Sequence, residues 1–172
     1  MASLMENLID VLEKESSEYE ELLKLSQRKT PIIVSGNLEN LQKITDEEQV
    51  QVSRVNQLEK KRIEITADIA NVLNKDVTTL KLSNLIDMLA NRPVEQKALA
   101  QAHDRLQVSV RELQRVNEQN RELIADALEM IEFEMNLMQA MKTAPQTANY
   151  NRGAYSAGNT MGVSSHGFDT KQ

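Results

Sequence analysis

The chain has 172 residues, no cysteine, no tryptophan, 3% aromatic residues and a formal net charge of −6. This length suits one domain, or one domain with a tail, and the scarcity of Gly and Pro before residue 143 favours long helices over a β-sandwich. The acidic balance excludes a basic patch for nucleic acid, and the short apolar runs predict no membrane insertion.

The first helix is predicted over residues 2–29, where apolar residues recur at spacings of three, four or their sums. Its stripe is Leu4, Leu8, Val11, Tyr19, Leu22 and Leu25 or Ser26. The pattern breaks at PIIVSGNLENLQ, residues 31–42. Thr30-Pro31 predicts the start of a short continuation, with a kink. Gly36 is then expected to end the helix in the left-handed conformation and Asn37 to cap the next one.

The second helix is predicted over residues 38–74. Its apolar seam is Leu41, Ile44, Val52, Val55, Leu58, Ile65, Ile69 and Val72. Glu48 and Arg62 fall at two core-like positions of the same seam. A helix of this length cannot bury its own stripe, so the seam predicts partner helices.

Residues 75–92 predict one short helix, with Thr79 or Ser83 as its cap and Leu82, Leu85, Ile86 and Leu89 as its apolar face. A fourth helix is predicted from Pro93 or Val94 to about residue 142. Its seam is Leu99, Leu106, Val110, Leu113, Ile124, Ala127, Ile131 and Met138. The same rhythm places Asn117 and Asn120 in the seam, either as a polar layer that fixes register or as a ligand contact.

These elements predict an all-α fold, an elongated antiparallel helical bundle or coiled coil of three long helices plus one short helix. The path is up, down and up again, with the short helix at the far end. Residues 1–142 form the predicted bundle domain. Residues 143–172 lose all periodicity and hold four of the five glycines, so they predict a flexible Gly/Asn/Ser/Thr-rich tail.

The chain offers little for catalysis. A di-iron bundle site needs Glu-x-x-His pairs, but His103 follows Ala100 at that spacing and His166 lies in the tail. Without cysteine there is no thiolate nucleophile, metal ligand or disulfide, and no Gly-rich loop precedes a helix. We therefore expect no enzyme, no cofactor and no metal. The cysteine usage and the acidic first 25 residues favour the cytoplasm over an exported protein.

One stretch, IADALEMIEFEMNLMQAM at residues 124–141, is more apolar than one buried face requires. Twelve of its eighteen residues are apolar and it holds four of the eight methionines, whereas one stripe needs roughly three to four residues in seven. It also carries four acids, with no base between Arg121 and Lys142. Either this helix end is packed on two sides, or its adaptable methionines bind a partner. Because the fourth helix outruns the second, the pattern favours the partner interpretation.

The segment IIVSGNLENLQKITDEEQVQVSRVNQLEKKR, residues 32–62, resembles the signature region of FlgN-type flagellar export chaperones. In that family a Gly-Asp/Asn turn precedes L-x-x-L, an acidic E-E/Q pair and an L-E-x-x-R ending. The corresponding elements here are Gly36-Asn37, Leu38 with Leu41, Glu47-Glu48-Gln49, and Leu58-Glu59 with Arg62. LKLSNLIDML and LQRVNEQNRELIADALEMI follow in the family's order, so the resemblance covers about residues 4–141 and leaves the tail unmatched.

The resemblance implies a cytoplasmic chaperone for flagellar hook-associated (hook-filament junction) proteins. It would bind their C-terminal helical segment, keep them unassembled and deliver them to the type III export apparatus without hydrolysing ATP. Export-apparatus components are further candidate partners. Recognition would be of the helix-in-groove kind. The predicted partner-binding residues are Ile131, Met135, Met138 and Met141, followed by Ile124, Leu128 and Phe133.

Two other functions stay open on the sequence. One is a structural coiled-coil protein whose seams form a homo-oligomer. The other is an adaptor that works through the aromatic tail residues Tyr150, Tyr155 and Phe168. The up-down-up path also predicts that Ile32, Ile33 and Val34 lie at the same end as the late methionines and form a second wall of the partner site. If these side chains are buried, the segment is only a turn.

Overall fold

The computed structural model describes residues 3–143, which form four α-helices and no β-strand. The helices are α1 (Leu4–Ser35), α2 (Leu38–Val72), α3 (Leu82–Met88) and α4 (Pro93–Thr143). The predicted all-α fold is therefore confirmed. Residue contacts divide the chain into two units, Met1–Ala127 and Leu128–Gln172. The predicted tail lies, beyond Thr143, outside the described residues, and the predicted domain boundary at residue 142 stays a prediction.

Helix α1 starts at a capping box. The Ser3 hydroxyl accepts from the backbone N–H of Glu6 at 3.2 Å, and the Glu6 carboxylate accepts from the backbone N–H of Ser3 at 2.7 Å. These bonds satisfy two N–H groups that helical hydrogen bonding leaves free. The predicted end of this helix at residue 29 is wrong, since α1 runs unbroken through Pro31 to Ser35. Contacts of its last turns with the other helices outweigh the backbone hydrogen bond that Pro31 removes.

The turn between α1 and α2 follows the sequence prediction. Gly36 has φ +68°, in the left-handed region, and its N–H donates to the Ile33 carbonyl at 3.1 Å. The Asn37 side chain then accepts from the backbone N–H of Asn40 at 3.0 Å and caps α2. Glycine adopts this conformation at no steric cost, which is why the helix ends here.

Helices α1 and α2 are antiparallel. Lys29, late in α1, pairs with Glu48 at 2.7 Å, whereas Glu15, in the first half of α1, pairs with Arg62 at 2.9 Å. The α2 partner number therefore falls as the α1 number rises. Both partners from α2 occupy the core-like positions that the sequence pattern gave them.

Helix α4 runs parallel to α1 within the first unit. Arg105 pairs with Glu20 at 2.7 Å, and Asn120 donates to the Ser26 carbonyl at 2.9 Å. The α4 partner number therefore rises with the α1 number. The first unit is thus an up-down-up arrangement of its long helices, as the seams predicted.

The apolar core lies where the start of α1, the end of α2, the short helix α3 and the start of α4 meet. It consists of Leu8, Val11, Leu12, Ile65, Ile69, Ala70, Leu80, Leu85, Leu89, Leu99 and Ala102. Burying each large aliphatic side chain contributes about 1.5–3 kcal/mol. The α3 face is as predicted, but its N-cap is Lys81, without a side-chain hydrogen bond, and neither Thr79 nor Ser83 serves as cap. Burial of Leu85 and Leu89 positions α3 in place of a side-chain cap.

Beyond this core, the seam between the long helices contains polar side chains that pair across the helices. The side-chain pairs are Glu15–Arg62, Glu18–Gln51, Ser26–Glu48, Lys29–Glu48 and Thr30–Asn120, and the Asn120 amide also donates to the main-chain carbonyl of Ser26. No buried side-chain nitrogen or oxygen among the described residues lacks a hydrogen-bond partner. A polar group buried in a helix seam fixes register, because a shifted helix would leave it unpaired.

Two seam predictions for α2 are wrong. Val52 and Val72 are 41% and 75% exposed, and Gln51 is buried in the position expected for Val52. The Gln51 amide donates to the carbonyl and the carboxylate of Glu18. That pairing removes the cost of burying a polar side chain, so the helix turns Val52 towards solvent.

The α4 seam also differs from the predicted one. It follows Leu99, Ala102, Leu106, Ser109, Leu113, Val116 and Asn120, which are buried or half-buried. Small residues at 102 and 109 allow the helices to approach, although they give a weak apolar signal in the sequence. Ala127, Ile131 and Met138, which the pattern had placed in the seam, are exposed.

Candidate functional site

The described part of the second unit is the end of α4, residues 128–143, and every residue in it is exposed. Eight large apolar side chains in it are between 49% and 71% exposed. We call these the α4-end surface: Leu128, Met130, Ile131, Phe133, Met135, Leu137, Met138 and Met141. A contiguous apolar surface of this kind is characteristic of a site for another macromolecule, whereas scattered single residues are not.

The polar residues of the helix end form one line. Glu129, Glu132, Asn136 and Gln139 follow one another at spacings of three and four, so they share one face. We call this line the polar stripe. The apolar side chains occupy most of the remaining circumference, interrupted by Glu134 and Lys142. The polar stripe is therefore the face that an associated partner would leave in water.

The electrostatic character of the helix end is acidic. Glu129, Glu132 and Glu134 are its acids and Lys142 is its one base among residues 128–143. Carboxylates beside an apolar surface favour a partner with Lys or Arg next to its own apolar residues.

Most of the predicted partner-binding residues belong to this surface. Those exposed on the α4-end surface are Leu128, Ile131, Phe133, Met135, Met138 and Met141. Ile124 lies in the first unit and is half-buried. Sequence reasoning left out Met130 and Leu137, which are 65% and 49% exposed. The spacing of the polar stripe was the signal for them, since it leaves the flanks on both sides apolar.

The predicted second wall shows mixed burial. Val34 is 72% exposed, Ile32 is half-buried and Ile33 is only 7% exposed. Ile33 therefore packs as a core residue of α1, and Val34 is the one side chain of the three that is open to solvent. The predicted adjacency of this segment to the late methionines stays a prediction.

The two predicted seam asparagines have different surroundings. Asn120 is 4% exposed, donates to the Ser26 carbonyl at 2.9 Å and accepts from the Thr30 hydroxyl at 2.6 Å. Asn117 is exposed, and Val116 occupies the neighbouring core position. A seam spacing of three and then four residues from Leu113 reaches 116 and 120 and bypasses 117.

The first unit contains a separate groove of about 390 Å³. It is lined by Leu22, Ser26, Lys29, Glu48, Val52, Asn117, Asn120, Arg121 and Ile124. Apolar side chains from all three long helices form most of the lining, and the Lys29–Glu48 pair and both asparagines add polar groups to it. Such a groove can take one or two partner side chains, while the α4-end surface offers a longer apolar contact.

Two of the ionisable groups with altered pKa lie at contacts between helices of the first unit. Burial raises the pKa of Glu15, and the adjacent Arg62 guanidinium opposes part of that rise. A hydrogen bond from Arg105 lowers the pKa of Glu20, which is exposed. These groups hold helices together, and their arrangement does not resemble an acid-base pair in a cleft.

Within residues 3–143, no three His, Cys, Asp or Glu side chains are grouped so that they could hold a metal ion. No helix of this part of the chain is both long enough and apolar enough to cross a membrane. The described residues therefore present two candidate surfaces: an exposed apolar helix end flanked by acids, and a groove of mixed polarity in the first unit.

Comparison with known proteins identifies the family. A family model described as FlgN protein matches residues 1–156. The chain belongs to the FlgN family. FlgN is a family of chaperones rather than of enzymes, and membership suggests a role in flagellar protein export.

A relative from Bacillus subtilis (strain 168), named Uncharacterized protein YvyG, is 26% identical over 144 residues. The match covers 84% of this chain and 83% of that protein. No solved structure matches the chain.

Proposed function

We propose that this protein is an export chaperone that binds the C-terminal helical segment of flagellar hook-associated proteins through the α4-end surface. It keeps these clients unassembled and delivers them to the flagellar type III export apparatus. The single observation that carries this assignment is the exposure of eight large apolar side chains on a helix end in a member of a chaperone family.

The physical basis is burial of apolar area by a helical client. Four of the eight side chains are methionines, Met130, Met135, Met138 and Met141, whose flexible thioethers fill irregular gaps and adapt to different surfaces. Client helices that would otherwise associate with one another bury their apolar face on this surface instead. Binding of this kind uses no nucleotide. The chaperone acts by covering the apolar face of the client helix, and not by ATP-driven unfolding of the client.

The proposed place of action follows from the proposed role. A chaperone that delivers substrates to an export apparatus meets them before export, which places this protein in the cytoplasm. Components of the export apparatus are then natural second partners, and the groove in the first unit is a candidate contact for them.

The test is a double substitution, Met135→Glu with Met138→Glu, in the full chain. Both side chains are more than 60% exposed, so their loss removes little buried area and thermal unfolding should shift only slightly. Two carboxylates in an apolar contact remain unpaired in the complex, so binding to a purified full-length hook-associated protein should fall at least about a hundredfold. Equilibrium titration measures the binding and circular dichroism the unfolding.

The matched control is Val94→Glu with Val108→Glu. These side chains are 82% and 66% exposed on the same helix, but lie in the first unit. The control changes the net charge equally and should leave binding unchanged. Equal loss of binding in both variants would show that the added negative charge, and not the position, weakens binding. A collapse of helicity in the methionine variant would show that residues 128–143 belong to the folded core. Either result contradicts the proposed site.

A further inference from the structure

The apolar part of the α4-end surface is too wide for one partner helix. At about 100° per residue, the polar stripe with Thr143 spans roughly 80° of the helix circumference and the eight apolar residues span roughly 220°. A single packed helix needs an apolar stripe only somewhat more than about 100° wide. More than one element is therefore needed to cover this surface.

The apolar residues separate into two seams. Seam one is Leu128, Ile131, Met135 and Met138, and seam two is Met130, Phe133, Leu137 and Met141. Within each seam the spacings are three and four residues, as in a helix-packing interface. The centres of the two seams differ by about 135° around the axis.

Both seams are open to the same degree. Exposure runs from 52% to 65% in seam one and from 49% to 71% in seam two. Neither seam is therefore a buried face of the helix end. Glu134 lies between the seams, and Glu129 and Glu132 lie on the polar stripe beside them.

We propose that the end of α4 docks between two helical segments of one client, with one segment packed on each seam and the polar stripe left in water. The inference rests on the proposed function and specifies its client. Each segment carries an apolar face flanked by Lys or Arg, because carboxylates line the seams and Lys142 is the single base in residues 128–143.

Charge disfavours a second copy of this chain as the occupant. Residues 128–143 carry three acids and one base, a net charge of −2. Two such helix ends would bring like charges together beside a desolvated surface, which opposes association. A basic client helix gains from the same charges.

Three neighbouring residues allow a direct test, since the chain has no cysteine and one introduced thiol is unique. Leu137→Cys reports on seam two, Met138→Cys on seam one, and Gln139→Cys on the polar stripe. Each full-length variant is treated with N-ethylmaleimide, alone and with a saturating full-length hook-associated protein that the native chain binds. Mass spectrometry follows alkylation at that residue. All three positions are exposed in the free chain, so their free rates serve as the reference.

We expect positions 137 and 138 both to be protected, each alkylated at least about tenfold more slowly in the complex, because alkylation needs an accessible thiolate. The alkylation rate at position 139 should be unchanged. Protection of only one seam overturns the two-segment arrangement and leaves the proposed function standing. Protection of all three positions means that the client encloses the helix, which also overturns it.

Three further outcomes separate this inference from the proposed function. Protection without client that grows with chain concentration assigns the seams to a second copy and overturns the inference. Client binding without protection at either seam rejects the α4-end surface as the site. If the native chain binds none of the purified hook-associated proteins, the proposed function itself fails.

Discussion

At the scale of single residues, the pair Glu15–Arg62 links α1 to α2 inside the seam. The Glu15 side chain is 2% exposed and its oxygen accepts from Arg62 Nε at 2.9 Å. Burial raises its pKa above the usual 4.5 despite the guanidinium. In the window between 4.5 and the raised value, the folded state binds more protons than the unfolded one, so Glu15 lowers stability as pH rises.

Glu15→Gln should remove this contribution, because an amide has no proton to lose while its oxygen still accepts from Arg62. The free energy of unfolding of the native chain, relative to that of the variant, should fall as pH rises from about 4 to 7. Urea denaturation at a series of pH values measures the difference. A difference that stays flat or rises with pH would contradict the assigned direction of the pKa change.

Asn120 and Asn117 form a matched pair for a second test. Asn120→Ala removes a donor to the Ser26 carbonyl and an acceptor for the Thr30 hydroxyl, both inside the seam. It should cost about 1–2 kcal/mol in the free energy of unfolding. Asn117→Ala, on an exposed position of the same helix, should change it by less than about 0.5 kcal/mol. Equal effects in chemical denaturation would show that Asn120 makes no specific contribution.

These residues also mark the limit of what the sequence predicts. Gly36 and Asn37 were predictable because a left-handed turn and an N-cap depend on local chemistry. Gln51 was not, because its burial depends on Glu18, 33 positions away. Periodicity predicted that each seam exists. Which of two neighbouring residues is buried in it, 51 or 52 and 116 or 117, depends on partner residues that only the fold brings together.

At the scale of elements, α4 has two parts: a part up to Asn120 that contributes buried side chains, and an end that contributes none. Every buried side chain among the described residues lies between Leu8 and Asn120. The end of α4 therefore adds nothing to the core, and its apolar residues are available for another role. The sequence predicted the excess of apolar residues there, but exposure was needed to choose between core and surface.

Removal of residues 128–172 should therefore leave the first unit folded, with a thermal midpoint within about 5 °C of the full chain. The same truncation should abolish binding of hook-associated proteins. Removal of residues 144–172 alone should preserve binding. Calorimetric unfolding and pull-down with purified client measure the two effects. Binding that disappears with the shorter deletion would instead favour an adaptor working through the aromatic tail.

At the scale of the whole molecule, a folded unit of three long helices and the short α3 is followed along the chain by a helix end whose apolar side chains are exposed. The polar pairs along the seam, such as Glu15–Arg62 and Ser26–Asn120, specify how the first unit is assembled. The α4-end surface has no such pairs, and its methionines suit a surface that adapts to a client. The family resemblance was readable from residues 32–62, because the turn and the helical motifs are local, whereas the client's identity is not encoded in any local motif.

The central claim, that the α4-end surface binds hook-associated proteins, is tested most directly by calorimetric titration of the native chain with one such purified protein at several temperatures. We expect saturable binding with a negative heat-capacity change, the mark of apolar burial, and its loss in the Met135→Glu, Met138→Glu variant. No binding by any hook-associated protein, or equal binding by that variant, would contradict the account.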